Sequence, residues 1–240
     1  MKLDVLVFAA HPDDAELGCG GTIASLVAAG KKVGIVDLTE GELGTRGTAE
    51  TRKEEANNSA KILGLSAREN LALGDGFFEI NEESISSLIK MIRKYQPETI
   101  LANAPEDRHP DHGRGGALQV RAAFLSGLVK IATELDGKKQ IPWRATHFYH
   151  YIQDRYLTPD FVVDISDFFD QKIVAIRAFK SQFNSSGTGE PQTYISSPEF
   201  WDFIKARAQE VGHSAGFTYG EGFVKSKQLG LKSLSVLTDQ

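Results

Sequence analysis

Short apolar runs alternate with segments of helical period along most of the chain. Leu3–Ala10 is apolar throughout except for Asp4, the pattern of a strand covered on both faces of a parallel sheet. Gly21–Ala29 follows as a helix stopped by Gly30, and Lys32–Thr39 reads as a second strand. Thr48–Leu63 carries a charged helical face and stops at Gly64, Asn70–Leu73 is a short strand, and Glu82–Tyr95 is a helix closed by Pro97. Glu98–Ala102 is the next strand and leads through a polar loop into a long helix over His112–Ile131. Strands alternating with helices predict βαβ crossovers and an α/β fold, a Rossmann-like, doubly wound, mostly parallel sheet.

The pattern changes after about residue 140. Ala145–Ile152 and Asp160–Ile165 are strand-like, and helices over Phe168–Ser181 and Pro198–Val211 follow. The chain is therefore expected to be one domain over 1–240, with a core over about 1–140 and a smaller α/β extension over about 141–240. Asn184–Thr193, "NSSGTGEPQT", has no period and is expected to be a mobile loop.

Composition narrows the function classes. The chain has 240 residues, 41% of them hydrophobic and 25% charged, which is ordinary for a globular protein with a substantial core. A formal net charge of −5 and the lack of a basic stripe argue against nucleic-acid binding. Cys19 is the single cysteine, so an internal disulfide and a Cys-rich zinc module are excluded. The early apolar run Val5–Ala10 is too short for a signal peptide or a bilayer span, and a cytoplasmic protein with no membrane partner is expected.

The chemistry concentrates in "FAAHPDDAELGCGGT", Phe8–Thr22. A strand, glycines and a helix suggest a dinucleotide loop, with Asp37 placed as a ribose-binding acid. The spacing fails, because Gly18 and Gly20 are followed by Ile23 where a third glycine is required. Asp13, Asp14 and Glu16 would also repel a pyrophosphate. A metal site fits better: His11 and Asp14 share a turn at the carboxyl end of the first strand. A second cluster, His109, Asp111 and His112 in "RHPDHGRGG", follows the strand "ETILA". One His-Pro-Asp alone reads as a turn, but two at strand ends of one sheet can meet in the crevice where strand order reverses. Two histidines and a carboxylate bind zinc with an open position, and the same donors suit non-haem Fe(II), which favours a β-barrel rather than this alternation.

"AHPDDAELGCGGTIA" followed by "HPDH" resembles the zinc-dependent N-deacetylases of the PIG-L/LmbE family, which act on N-acetylglucosaminyl compounds. The resemblance extends to "TEGELGTRG", "TRKEEA", "LGDG" and "SQF…EPQTYISSPEF…YGEGF", the last set most similar to the bacillithiol-biosynthesis branch, which deacetylates N-acetylglucosaminyl-malate. It implies His11, Asp14 and His112 as metal ligands for Zn2+ (or Fe2+) and Asp13 as general base. It further implies His109 as electrophile or general acid, oriented by Asp111, and a trimeric or hexameric assembly. A malate glycoside brings two carboxylates, for which arginine forks are suited; Arg52 and Arg108 are the candidates, with ion pairs to Glu54, Glu55, Glu106 and Asp107 as their alternative. Glu42 and Asp75 are expected to bind sugar hydroxyls, and Tyr194 to reach the oxyanion. A deacetylase of another N-acetylglucosamine conjugate or chitooligosaccharide is the alternative reading, and a nucleotide-dependent oxidoreductase a remote one.

Overall fold

The computed structural model describes residues 1–184, 189–230 and 233. The strands in chain order are β1 (Val5–Ala9), β2 (Val33–Asp37), β3 (Ala67–Asn70), β4 (Thr99–Ala102), β5 (Glu134–Leu135), β6 (Lys138–Lys139), β7 (His147–Tyr151), β8 (Phe161–Asp164) and β9 (Gly220–Lys225). The helices are α1 (Asp14–Ala28), α2 (Ala49–Leu63), α3 (Glu82–Tyr95), α4 (Pro110–Leu125), α5 (Phe169–Ile176), α6 (Lys180–Phe183) and α7 (Pro198–Ser214). Seven strands form one sheet in the order β3-β2-β1-β4-β7-β9-β8, and β5 and β6 make a separate hairpin. The first five strands of that order pair in parallel, whereas β9 runs antiparallel to both β7 and β8. The doubly wound expectation holds, and the C-terminal part completes the same sheet.

β1 is wholly buried because apolar layers cover both of its faces. Leu6 and Phe8 join α3 and α4 on one side; Val5, Val7 and Ala9 join α1 and the Ile35, Leu101 and Tyr151 side chains on the other. Strand order reverses between β1 and β4, which are neighbours, so the loops after them share one crevice.

Several boundaries differ from expectation. α1 begins at Asp14 rather than Gly21, and Cys19 leaves the helical conformation (φ −146°, ψ 24°) to kink it. Glycines within this helix serve contact: a Cβ on Gly18 would lie 2.3 Å from the Tyr151 ring and one on Gly21 2.7 Å from Ile165. The second half of α1 starts at the kink with free amides, and the buried Glu221 carboxylate accepts from Gly21 N (3.0 Å) and Thr22 N (2.7 Å). Lys172 pairs with the same carboxylate at 2.6 Å. β3 lies three residues earlier than the Asn70–Leu73 reading, and α4 runs over Pro110–Leu125 rather than His112–Ile131. The helix expected over 168–181 divides into a 3-10 turn, α5 and α6. Of the expected loop Asn184–Thr193, residues 185–188 lie outside the described residues, and 189–193 form no regular element. Among the described residues no helix is long and apolar enough to cross a membrane.

Candidate metal centre

The loops after β1 and β4 bring His11, His109 and His112 together, with ring centroids 4.7 to 5.5 Å apart. Asp14 lies between two of these rings: its Oδ1 is 3.0 Å from His112 Nε2 and its Oδ2 3.5 Å from His11 Nδ1. Each of these histidines turns its far nitrogen to a carboxylate. His11 Nε2 meets Asp75 Oδ1 at 3.0 Å, and His112 Nδ1 meets Asp107 Oδ2 at 2.5 Å. A carboxylate on the far nitrogen fixes the tautomer and leaves the near nitrogen as a donor, the usual support of a metal-ligating histidine. The donors therefore fit a divalent ion held by His11, Asp14 and His112. A second convergence, His11 with Asp75 and Asp111, lies on the far side of the His11 ring. Its carboxylates are occupied, Asp75 by Leu43 N and Asp111 by Gly76 N and Arg114, so they serve better as backing than as ligands.

The charges in this cluster shift protons accordingly. Burial disfavours a charged His11, but the hydrogen bonds its ring donates to Asp111, Asp14 and Asp75 outweigh it and hold the ring well above its usual range. Burial likewise opposes charge on His112, yet the Asp14 charge and the Asp107 bond raise it to about 9. His109 moves down, by burial and then by repulsion from the other two rings. His109 is the N-cap of α4 and its Nδ1 accepts the Asp111 main-chain N–H at 3.2 Å, so a neutral ring carries its proton on Nε2. This corrects the expected Asp111–His109 pairing: the main chain of Asp111 orients His109, and its side chain faces His11 at 3.4 Å.

Asp13 is buried beside Asp14, and burial above all raises its carboxyl to about 7. Arg52 lies against it at 3.3 Å and also donates to Pro12 O (2.6 Å) and Gly41 O (3.1 Å). Arg52 therefore clamps the turn that carries Asp13; neither Glu54 nor Glu55 is its partner, since Glu55 accepts instead from Ser181. Arg108 is 56% exposed and pairs with Asp154 at 2.7 Å, not with Asp107 or Glu106. Tyr194 is half exposed under Arg108, its hydroxyl donating to Asp154 at 3.2 Å on the rim of the site. Glu42 accepts the Asp75 main-chain N–H at 2.8 Å, so the expected sugar-binding acids form a chain Glu42–Asp75–His11. Asp37 holds Arg68 through both oxygens (2.9 and 3.1 Å) and is not free for a ribose.

Sequence reasoning missed Asp107, Gln153 and Asn103. Gln153 Nε2 lies 3.0 Å from His112 Nδ1, its Oε1 accepts from Asn103, and Asn103 donates to Asp14 at 3.3 Å. The closeness of Asp107 to "HPDH" was the available signal.

The PIG-L model, described as GlcNAc-PI de-N-acetylase, matches residues 6–123, which contain both clusters. The diacetylchitobiose deacetylase of Thermococcus kodakarensis is 31% identical over 231 residues, covering 91% of this chain and 81% of that protein. The chain belongs to the PIG-L family. It is accordingly an amide hydrolase of a metal-dependent deacetylase family. The crystal structure of the conserved protein TT1542 from Thermus thermophilus superposes with a TM-score of 0.84 at 37% identity, covering 96% of this chain and 98% of that one. A probable N-acetyl-alpha-D-glucosaminyl L-malate deacetylase of Bacillus cereus is 29% identical over 198 residues, covering 76% of this chain and 84% of that protein.

Proposed function

We propose that this PIG-L protein removes acetate from an N-acetylglucosamine conjugate with an uncharged second sugar, of the diacetylchitobiose type. The observation that supports the reaction is Asp14 lying between two carboxylate-backed histidines, with Asp13 next to it in the chain and the His109 ring against both histidines. His11, Asp14 and His112 would hold zinc. A zinc ion held there would supply Lewis-acid polarisation of the acetamide oxygen and a lowered pKa for the attacking water. Asp13, adjacent to a ligand but clamped by Arg52, takes the water's proton. His109, with Nδ1 occupied by a main-chain N–H, would carry its proton on Nε2 and could donate it to the oxyanion of the reaction. Asp75 and Asp107 keep His11 and His112 in the ligating tautomer.

The malate glycoside is the weaker reading. Its expected arginines have other work, Arg52 on two carbonyls and Asp13, Arg108 on Asp154. The relative named for that substrate matches a shorter stretch than the chitobiose deacetylase does. Acetate release from diacetylchitobiose, N-acetylglucosaminyl-malate and free N-acetylglucosamine, each with and without a chelator, tests the reading. Highest kcat/KM on the disaccharide and loss with chelator are expected; a preference for the malate compound restores the bacillithiol reading, and chelator insensitivity removes the metal mechanism.

A further inference from the structure

The cavity at the metal centre has a volume of about 430 Å³ and extends well beyond the reacting groups. Its mouth is formed by exposed or polar residues, among them Arg108, Asp154 and Gly44. Its other part runs between α1, α7 and the ends of β7 and β9, and Leu17, Ile152, Phe200, Ile204, Ala208 and Val211 line it. Three charged residues also border this side: Lys172 and Glu221 satisfy each other and the kinked end of α1, and Arg207 donates to Gln153 O at 3.2 Å and Asp154 O at 2.9 Å. Ile152 and Val211 are buried in the protein and border the cavity directly.

An apolar chamber of this kind forgoes dispersion contacts until a ligand fills it. The methyl of an acetyl group fills only a small part. A sugar placed here would meet mainly apolar side chains and charged groups already paired, whereas the polar mouth can satisfy its hydroxyls. With the amide carbon at Asp13 and His109, a sugar at the mouth directs the acyl substituent inward. On the deacetylase reading above, we propose that this chamber receives the acyl chain, and that the enzyme also hydrolyses N-acyl amino sugars with chains of roughly four to eight carbons. Water adds to the acyl carbon, the C–N bond breaks, the amine leaves with a proton and a short fatty carboxylate is released, so nothing beyond water is consumed.

The test uses the metal-loaded protein and chitobiose N-acylated with acetyl, butanoyl or hexanoyl groups, following release of the amine. Each methylene buried in the chamber raises kcat/KM by about fourfold. A hexanoyl value above the acetyl value is expected; a hexanoyl value equal to or below it overturns the proposal. Val211→Phe, which fills the chamber, is expected to lower the hexanoyl-to-acetyl ratio by about tenfold, and an unchanged ratio overturns the assignment. The wild-type series decides the matter even where that variant fails to fold. Cleavage of the acetyl compound alone removes the acyl chamber and leaves the deacetylase reading intact, whereas cleavage of none removes both.

Discussion

Asp13 has φ 119° and ψ −24°, in the region that favours glycine. Holding another residue there costs about 1–3 kcal/mol and persists only where the surroundings over-determine it. Here Arg52 supplies that constraint, donating to Pro12 O on one side of the residue and approaching its carboxylate on the other. Strain and burial both weigh on one carboxylate, consistent with the base role proposed for Asp13. Asp13→Gly and Asp13→Asn both remove the partner of Arg52, so Asp13→Gly is expected to melt higher than Asp13→Asn while each lowers kcat by about 10²–10⁴; an equal or lower melting temperature for Asp13→Gly would show that the backbone is not strained. The proton balance gives a second expectation. Because burial raises Asp13 to about 7, the metal-free folded chain binds a proton that the unfolded chain releases from about pH 4 upward. Its stability falls as pH rises through that window, and Asp13→Asn removes that part of the fall. Denaturant titrations of the metal-free protein at about pH 4.5, near the foot of that window, and about pH 7.5, just above it, measure the difference.

At the scale of elements, α1 is where sequence reading failed most and where the reasons are clearest. Its glycine run reads locally as the start of a helix, but Gly18 and Gly21 are required by Tyr151 and Ile165, which lie far along the chain. Nothing local announces such a contact. β9 was missed for the same reason: "GEGFVK" has two glycines and two charged residues, and becomes a strand because β7 and β8 flank it. The Glu221 of that strand then caps the second half of α1, with Lys172 beside it. Removing one member of a buried pair leaves the other charge without compensation, at about 3–5 kcal/mol. Glu221→Ala is expected to destabilise by that amount, since it also orphans two amides. The double variant Lys172→Met/Glu221→Gln is expected to recover most of the loss, as read by chemical denaturation. Equal losses in both would show that packing, not charge, fixes this joint.

For the whole molecule, the sequence makes half of the site legible and conceals the other half. His11, Asp14 and His112 could be paired because each cluster follows an apolar strand, and parallel sheets gather their functional loops at the switch in strand order. The backing carboxylates were concealed because their meaning depends on loop paths: Asp75 arrives after β3, and Asp107 occupies the turn before α4. An ion held as proposed by His11, Asp14 and His112 would crosslink the loops of β1 and β4. Without it, Asp14, Asp75, Asp107 and Asp111 are compensated by protons on His11 and His112, whose rings are raised for that purpose. A folded value of about 9 for His112 lies above its unfolded value, so this compensation is intact at pH 6 and lost as pH rises towards about 9. A bound dication supplies the positive charge independently of pH, and binding the folded state alone stabilises it by about 2.7 kcal/mol at a hundred times Kd. Chelation is therefore expected to lower the melting temperature more at pH 9 than at pH 6, with zinc restoring it at both. Asp107→Ala should weaken zinc binding by about 10–100-fold while leaving the chelated protein folded at pH 6. A melting temperature indifferent to chelator at pH 9 would separate the two loops energetically and place the ion elsewhere.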